Sequence, residues 1–148
     1  MTYLIFSAFI FILVTVLVPK NISKFEMYTV ALFSIILGFI TDTVLDLHYN
    51  LYGYFKPGFQ YSGFIPILTL FPCSGILFIN FYPYHQPFFH KMIYIFGWTI
   101  FCLLFEFLSI KSGYFYHSGW KYWYSAIVYP LLLMLQILHM KLNKKICI

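Results

Sequence analysis

Asp42 and Asp46 stand four residues apart at the end of a long apolar run, and Glu106 stands inside another. They are three of the four acidic residues in a chain of 148. Residues four apart stack on one helix face, so the aspartates form a carboxylate pair if the run is helical. Such a pair can hold a cation, a divalent metal or the polar head of a ligand. Each acid is followed, after six intervening residues, by the same three letters: Gly53-Tyr54-Phe55 behind Asp46 and Gly113-Tyr114-Phe115 behind Glu106. His48, His117 and Trp120 fall in the same two stretches and complete the candidate pocket.

The elements that carry these residues follow from composition. Hydrophobic residues make up 62% of the chain and charged ones 9%, with a mean hydropathy of +0.85. A soluble domain carries about a quarter charged residues, whereas runs of about 20 apolar residues are what a bilayer requires. The sequence therefore predicts an all-α protein, a single integral membrane domain over 1–148 built as a polytopic bundle of five transmembrane helices. The spans are read at about 3–18, 27–47, 63–82, 92–110 and 122–140. The first has no basic start and no small residues where a cleavage site needs them, so it is read as a retained span and not a signal peptide. It is slightly short for a bilayer. Gly38 is a candidate point of close helix packing, and Pro66, Pro72 and Pro130 are expected to kink their helices.

The net charge of +5 comes from nine Lys and no Arg. In a membrane chain lysines mark topology, and nothing here resembles a nucleic-acid footprint. Lys20, Lys24, Lys91, Lys141, Lys144 and Lys145 fall on one side of the five spans, and Lys56, Lys111 and Lys121 on the other. This bias puts the N-terminus outside and the C-terminus in the cytoplasm. Asp46 and Glu106 then lie some 22 to 28 Å along their spans, near the outer interface, with Asp42 one turn deeper. Charged groups at that depth cost about 2.5 to 3.5 kcal/mol each, so they face a partner or a wet cavity. The clustered tyrosines and tryptophans of 49–61 and 114–124 are expected to form an aromatic girdle at the headgroups.

A shift of 60 residues superposes Asp46 on Glu106 and one Gly-Tyr-Phe on the other. A helix-hairpin repeat, spans two and three against four and five, is the expectation this raises. The scattered Cys73, Cys102 and Cys147 are read as small buried hydrophobes. The five histidines sit at span ends, where they do not face one another as haem ligands. No cofactor is expected. No Ser-His-Asp order, Gly-rich phosphate loop or HExxH motif is present.

The run Asp46-Leu-His-Tyr-Asn-Leu-Tyr-Gly-Tyr-Phe, with Asn80-Phe-Tyr-Pro83, Glu106, Gly119-Trp120-Lys-Tyr-Trp-Tyr and Tyr129-Pro130, resembles an uncharacterised family of small multi-spanning membrane proteins from endospore-forming Gram-positive bacteria. The resemblance covers about Thr41 to Pro130. It implies a multi-pass protein of a bacterial cell membrane and carries no activity with it.

The functional expectation is a non-enzymatic integral membrane protein with an outward-facing carboxylate pocket for a cation or polar ligand. Its partners are the lipid bilayer and, because five short spans leave little interior, a protein for which it is an accessory subunit. Two rivals stay open. One is a metal-dependent enzyme acting on a lipid or isoprenoid head group. The other is a structural membrane partner whose carboxylates are a latch.

Overall fold

The computed structural model describes residues 1–146, so Cys147 lies outside the described residues. Five helices carry the chain: α1 (Thr2–Leu17), α2 (Lys24–Asp42), α3 (Phe71–Asn80), α4 (Phe88–Lys111) and α5 (Tyr122–Ile146). A wider π-type turn, Thr43–His48, extends α2, and a short helical entry, Tyr61–Gly63 with a π turn at Pro66–Leu70, leads into α3. Four continuous helical stretches are long and apolar enough to cross a membrane: Lys24–His48, Tyr61–Asn80, Phe88–Lys111 and Tyr122–Ile146. α1, at 16 residues, is apolar but shorter.

The helix ends follow local chemistry. Ser23 accepts a hydrogen bond from the Glu26 amide while Glu26 accepts one from the Ser23 amide. This capping box accounts for the fourth acid of the chain. Asn50, at φ 50°, closes the π turn with its amide on the Asp46 carbonyl, and Gly113, at φ 78°, closes α4. Both adopt the left-handed conformation that lets a helix stop. The residues beyond the expected fifth span are helical through Ile146, since nothing between Lys141 and Ile146 breaks the helix.

Pro66 and Pro72 lie inside the continuous helical stretch Tyr61–Asn80, Pro66 opening the π turn and Pro72 standing just after it in the first turn of α3. Where kinks are expected the helix changes its winding, beside two residues that each remove a backbone donor. Pro130 does lie within α5.

The two aromatic segments expected at the headgroups each contribute a short strand. β1 (Tyr52–Tyr54) pairs antiparallel with β2 (Phe115–His117), matching Tyr52 to His117, Gly53 to Tyr116 and Tyr54 to Phe115. The Phe55 amide extends the ladder by donating to the Tyr114 carbonyl. Beside it, the amides of Ser118, Gly119 and Trp120 all donate to the Leu51 carbonyl. One polar ribbon therefore closes the end of the bundle where α2 and α4 finish and α5 begins.

α2 packs on α3 and α5, α4 on α5, and α1 lies along the start of the third helical stretch. Phe11 and Tyr3 of α1 also meet Phe101 and Phe105 of α4. At the end away from the ribbon, Val30, Ile76, Phe78, Ile79, Ile95 and Met140 form one buried cluster. Asn80 there ties down the link between α1 and α2, accepting from the Asn21 amide at 2.7 Å and donating to the Pro19 carbonyl at 2.9 Å.

Small residues set the closest approaches. A Cβ on Gly38 would stand 2.1 Å from the Phe71 ring, and one on Gly75 2.2 Å from Ser34 Oγ. The packing role expected of Gly38 holds, and Gly75 shares it. Gly38→Ala is expected to force the Phe71 ring aside and destabilise by about 1 to 3 kcal/mol. Gly97→Ala, where a Cβ meets nothing within 4 Å, is expected to leave the unfolding midpoint unchanged or raise it. Thermal unfolding of the two variants in one detergent checks the pair.

Candidate functional site

A cavity of about 230 Å³ runs between the helices on the inner side of the ribbon. Its walls are mostly apolar: Phe11 of α1, Leu37 of α2, Phe71 of α3, Phe101 and Phe105 of α4, and Leu132 of α5. Asp42 and Glu106 both line it, arriving on different helices. That juxtaposition comes from the ribbon, which holds the ends of α2 and α4 at one level.

Each carboxylate is hydrogen-bonded within the chain. Asp42, 7% exposed, accepts from the Tyr52 hydroxyl at 2.7 Å and the Tyr54 hydroxyl at 2.8 Å. Both tyrosines come from β1. Glu106, 3% exposed, accepts from His117 Nε2 of β2 at 2.7 Å, Ser125 Oγ at 2.9 Å and the Tyr129 hydroxyl at 2.5 Å. Ser125 in turn accepts from Trp120 Nε1 at 2.6 Å. A buried carboxylate needs this, because an unpaired oxygen in an apolar setting costs about 1 to 3 kcal/mol or more.

The expected site residues therefore divide. Asp42, Glu106, His117 and Trp120 meet around one cavity or at its rim. Asp46 is buried but faces a separate pocket of about 50 Å³ beside Phe59, Gln60 and Phe64, which Asp42 also touches. His48 is exposed, edge-on to Tyr49, and lines neither. The last turn of the α2 stretch points it outward, so it leaves the pocket set. The lysines of this end stay out as well. Among the described residues the basic side chains that reach an acid are His117 at Glu106 and Lys144 at Glu26, and Lys111 rests over the Phe107 ring.

Sequence reasoning missed Tyr52, Tyr54, Ser125 and Tyr129, the donors that hold the acids. It read the loop tyrosines as a girdle at the headgroups. Tyr49 and Tyr61 are exposed as a girdle requires, but Tyr52, Tyr54 and Tyr114 are buried under the ribbon. The period-two spacing of Tyr52 and Tyr54 was the available signal, since it puts both rings on one face of an extended strand.

Burial pushes the phenols of Tyr52 and Tyr54 well above the usual range, and the Asp42 carboxylate beside them adds to the effect. The Tyr114 phenol is pushed up to about 12, again first by burial.

Among the described residues no group of three or more His, Cys, Asp or Glu side chains is placed to hold a metal ion. Cys73 is buried and Cys102 half-buried on the cavity wall, both as free thiols. His139, one of the span-end histidines, stacks on Phe33 at 4.1 Å.

No protein-family model, no curated protein and no solved structure matches the chain. The reading of its function rests on geometry.

Two outcomes follow from this geometry. Tyr54→Phe leaves a buried Asp42 oxygen without its donor and is expected to destabilise by about 1 to 3 kcal/mol, whereas Tyr49→Phe at the surface is expected to be silent. Chemical denaturation of both variants measures the difference. The raised phenols also fix a pH dependence. Their folded pKa values exceed the unfolded value near 10, so their contribution is complete below about pH 10 and is lost as pH climbs above it, for Tyr114 through about 12. Tyrosinate absorbance that lags behind the tyrosine count at pH 11, then rises together with unfolding, is the expected observation.

Proposed function

We propose that the protein is a multi-pass integral protein of the cell membrane that binds a small ligand with an apolar body and a cationic or hydrogen-bonding head, the head lying between Asp42 and Glu106. The observation that carries this reading is that two buried carboxylates from different helices line one cavity whose other walls are apolar. Tyrosine hydroxyls stabilise the Asp42 carboxylate but bring no charge to cancel it. A cationic head would. At about 230 Å³ the cavity is smaller than the 300–1,000 Å³ of drug-sized sites, which favours a slim ligand.

The placement in the membrane belongs to the same proposal. α1 is the fifth span, its shortness offset by packing along the third and fourth, with Leu4 and Ala8 buried. Six lysines, at positions 20, 24, 91, 141, 144 and 145, stand at the end of the bundle away from the carboxylates. That bias supports a cytoplasmic C-terminus, an outer N-terminus and an outward-facing site. The ribbon register favours the hairpin repeat, since Tyr54 lies against Phe115 and Phe55 against Tyr114, the symmetric pairing that a shift of 60 requires. The exposed apolar faces of α4 and α5 are open to lipid or to the protein that this chain would accompany as an accessory subunit.

A second reading, the latch, is favoured by the hydrogen bonds themselves. Each carboxylate already fastens a strand of the ribbon to a helix. The two readings differ in what a ligand does.

The test uses the protein in nanodiscs, titrated with octylamine and, separately, with octanol. Trp98 and Trp120 line the cavity and report occupancy by fluorescence. Saturable binding of the amine, with a rise in unfolding temperature that Glu106→Gln or Asp42→Asn removes, is the result expected of the pocket; a ligand at 100 times its Kd stabilises by about 2.7 kcal/mol. Identical, non-saturating responses to amine and alcohol leave only the latch.

A further inference from the structure

The cavity has a second polar end. Eight residues back along α2 from Asp42, Ser34 meets Gln136 of α5 in the middle of the bundle, and both line the same cavity. Gln136 Nε2 donates to Ser34 Oγ at 2.6 Å, and Ser34 Oγ donates to the Val30 carbonyl at 2.8 Å. With the Ser34 hydroxyl on the Val30 carbonyl, the Gln136 nitrogen faces Ser34 and the oxygen is left over. Gln136 is 6% exposed, and its Oε1 accepts no hydrogen bond from the described residues. Gly75 makes the arrangement feasible, since any side chain there would strike Ser34 Oγ at 2.2 Å and Gln136 Nε2 at 3.2 Å.

The hydroxyl hydrogens at this end are already committed. Ser74, also on the wall, donates to the Phe71 carbonyl at 2.9 Å. What remains uncommitted at this end is acceptors, Ser74 Oγ and the buried Gln136 Oε1. The opposite end is likewise built of acceptors, the Asp42 and Glu106 carboxylates. Between them the wall is hydrocarbon, over an axial distance of about 12 Å for eight residues of helix. A buried amide oxygen with no donor is costly, and such groups in native proteins call for a reason.

We infer that Gln136 is a second recognition point of the cavity, and that the ligand is a slender molecule bearing a hydrogen-bond donor at each end. A basic amine would sit between Asp42 and Glu106, an apolar chain of about eight carbons would follow, and a hydroxyl or amine donor would reach Gln136 Oε1. This inference rests on the cavity reading above and adds the far-end chemistry to it. Amino alcohols and diamines of that length fit; a simple alkylamine satisfies one end only.

Three probes built on one eight-carbon amine chain separate the possibilities in nanodiscs: octylamine, 8-amino-1-octanol and 8-methoxyoctylamine, whose ether accepts but cannot donate. On the native protein the amino alcohol is expected to bind about twofold to tenfold more tightly than octylamine, the worth of one net hydrogen bond, and the ether no better than octylamine. Gln136→Leu is expected to erase that preference, the amino alcohol then binding no better than octylamine. Equal affinity of all three probes on the native protein overturns the inference and leaves the cavity reading standing. A preference that survives Gln136→Leu overturns it too, and assigns Gln136 to holding α2 against α5. Failure of every probe to bind overturns both readings together. Should Gln136→Leu not fold, the comparison of the three probes on the native protein still decides.

Discussion

Everything in this protein depends on keeping two carboxylates inside a bundle of apolar helices. Asp42 and Glu106 are buried, 7% and 3% exposed, among mostly apolar walls, so each must be met by donors from its own chain. Helices cannot provide enough of them, because their backbone amides are used internally. The donors come mainly from the connecting segments. Two tyrosines of β1 serve Asp42, and a histidine of β2 serves Glu106, with Ser125 and Tyr129 of α5 completing its shell. Segments that would otherwise lie at the membrane surface are drawn inward. Once there, their own backbone groups need partners, and they find them in each other as a two-stranded ribbon. Acid, tyrosine and ribbon are one solution to one constraint.

The same constraint explains why the cavity lies where it does. The ribbon sets the ends of α2 and α4 at one level, and the aromatic side chains beneath it are too large and too directional to fill the space between helices completely. The π turns at Thr43–His48 and Pro66–Leu70 stand beside this end of the bundle, where regular helix would carry the side chains onto other faces. Wider turns of this kind often accompany functional sites. At the middle of the bundle the packing is close where Gly38 and Gly75 allow it, and the polar pair of Ser34 and Gln136 bridges α2 and α5. The cavity is therefore polar at two levels, under the ribbon and at Ser34–Gln136, with hydrocarbon between them.

A latch and a pocket are not exclusive uses of these acids. Hydrogen bonds to neutral hydroxyls satisfy the geometry of a carboxylate without neutralising its charge, so a site that is structurally complete can still attract a cation. The ribbon that the latch holds is also the cover of the cavity.

Much of this was legible in the order of residues. Composition fixes a helical chain suited to lipid, because only long apolar runs with few charges satisfy a bilayer. Scarcity picks out Asp42, Asp46 and Glu106, since acids so few and so placed are costly. Spacing along the helices also puts these acids at one end. What spacing could not decide is which face each acid takes after the helix changes its winding. Asp42 turned to the central cavity with Glu106, Asp46 faces a smaller pocket and His48 faces outward, a division set by the π turn and the ribbon. Nor could periodicity separate a tyrosine at the headgroups from one folded under the ribbon, because both come from the same aromatic loop. The sequence by itself determined how many helices form and that their ends carry charge. Only the tertiary structure decided which donors meet which acid, because those bonds join residues that share no local pattern and meet only when the bundle closes.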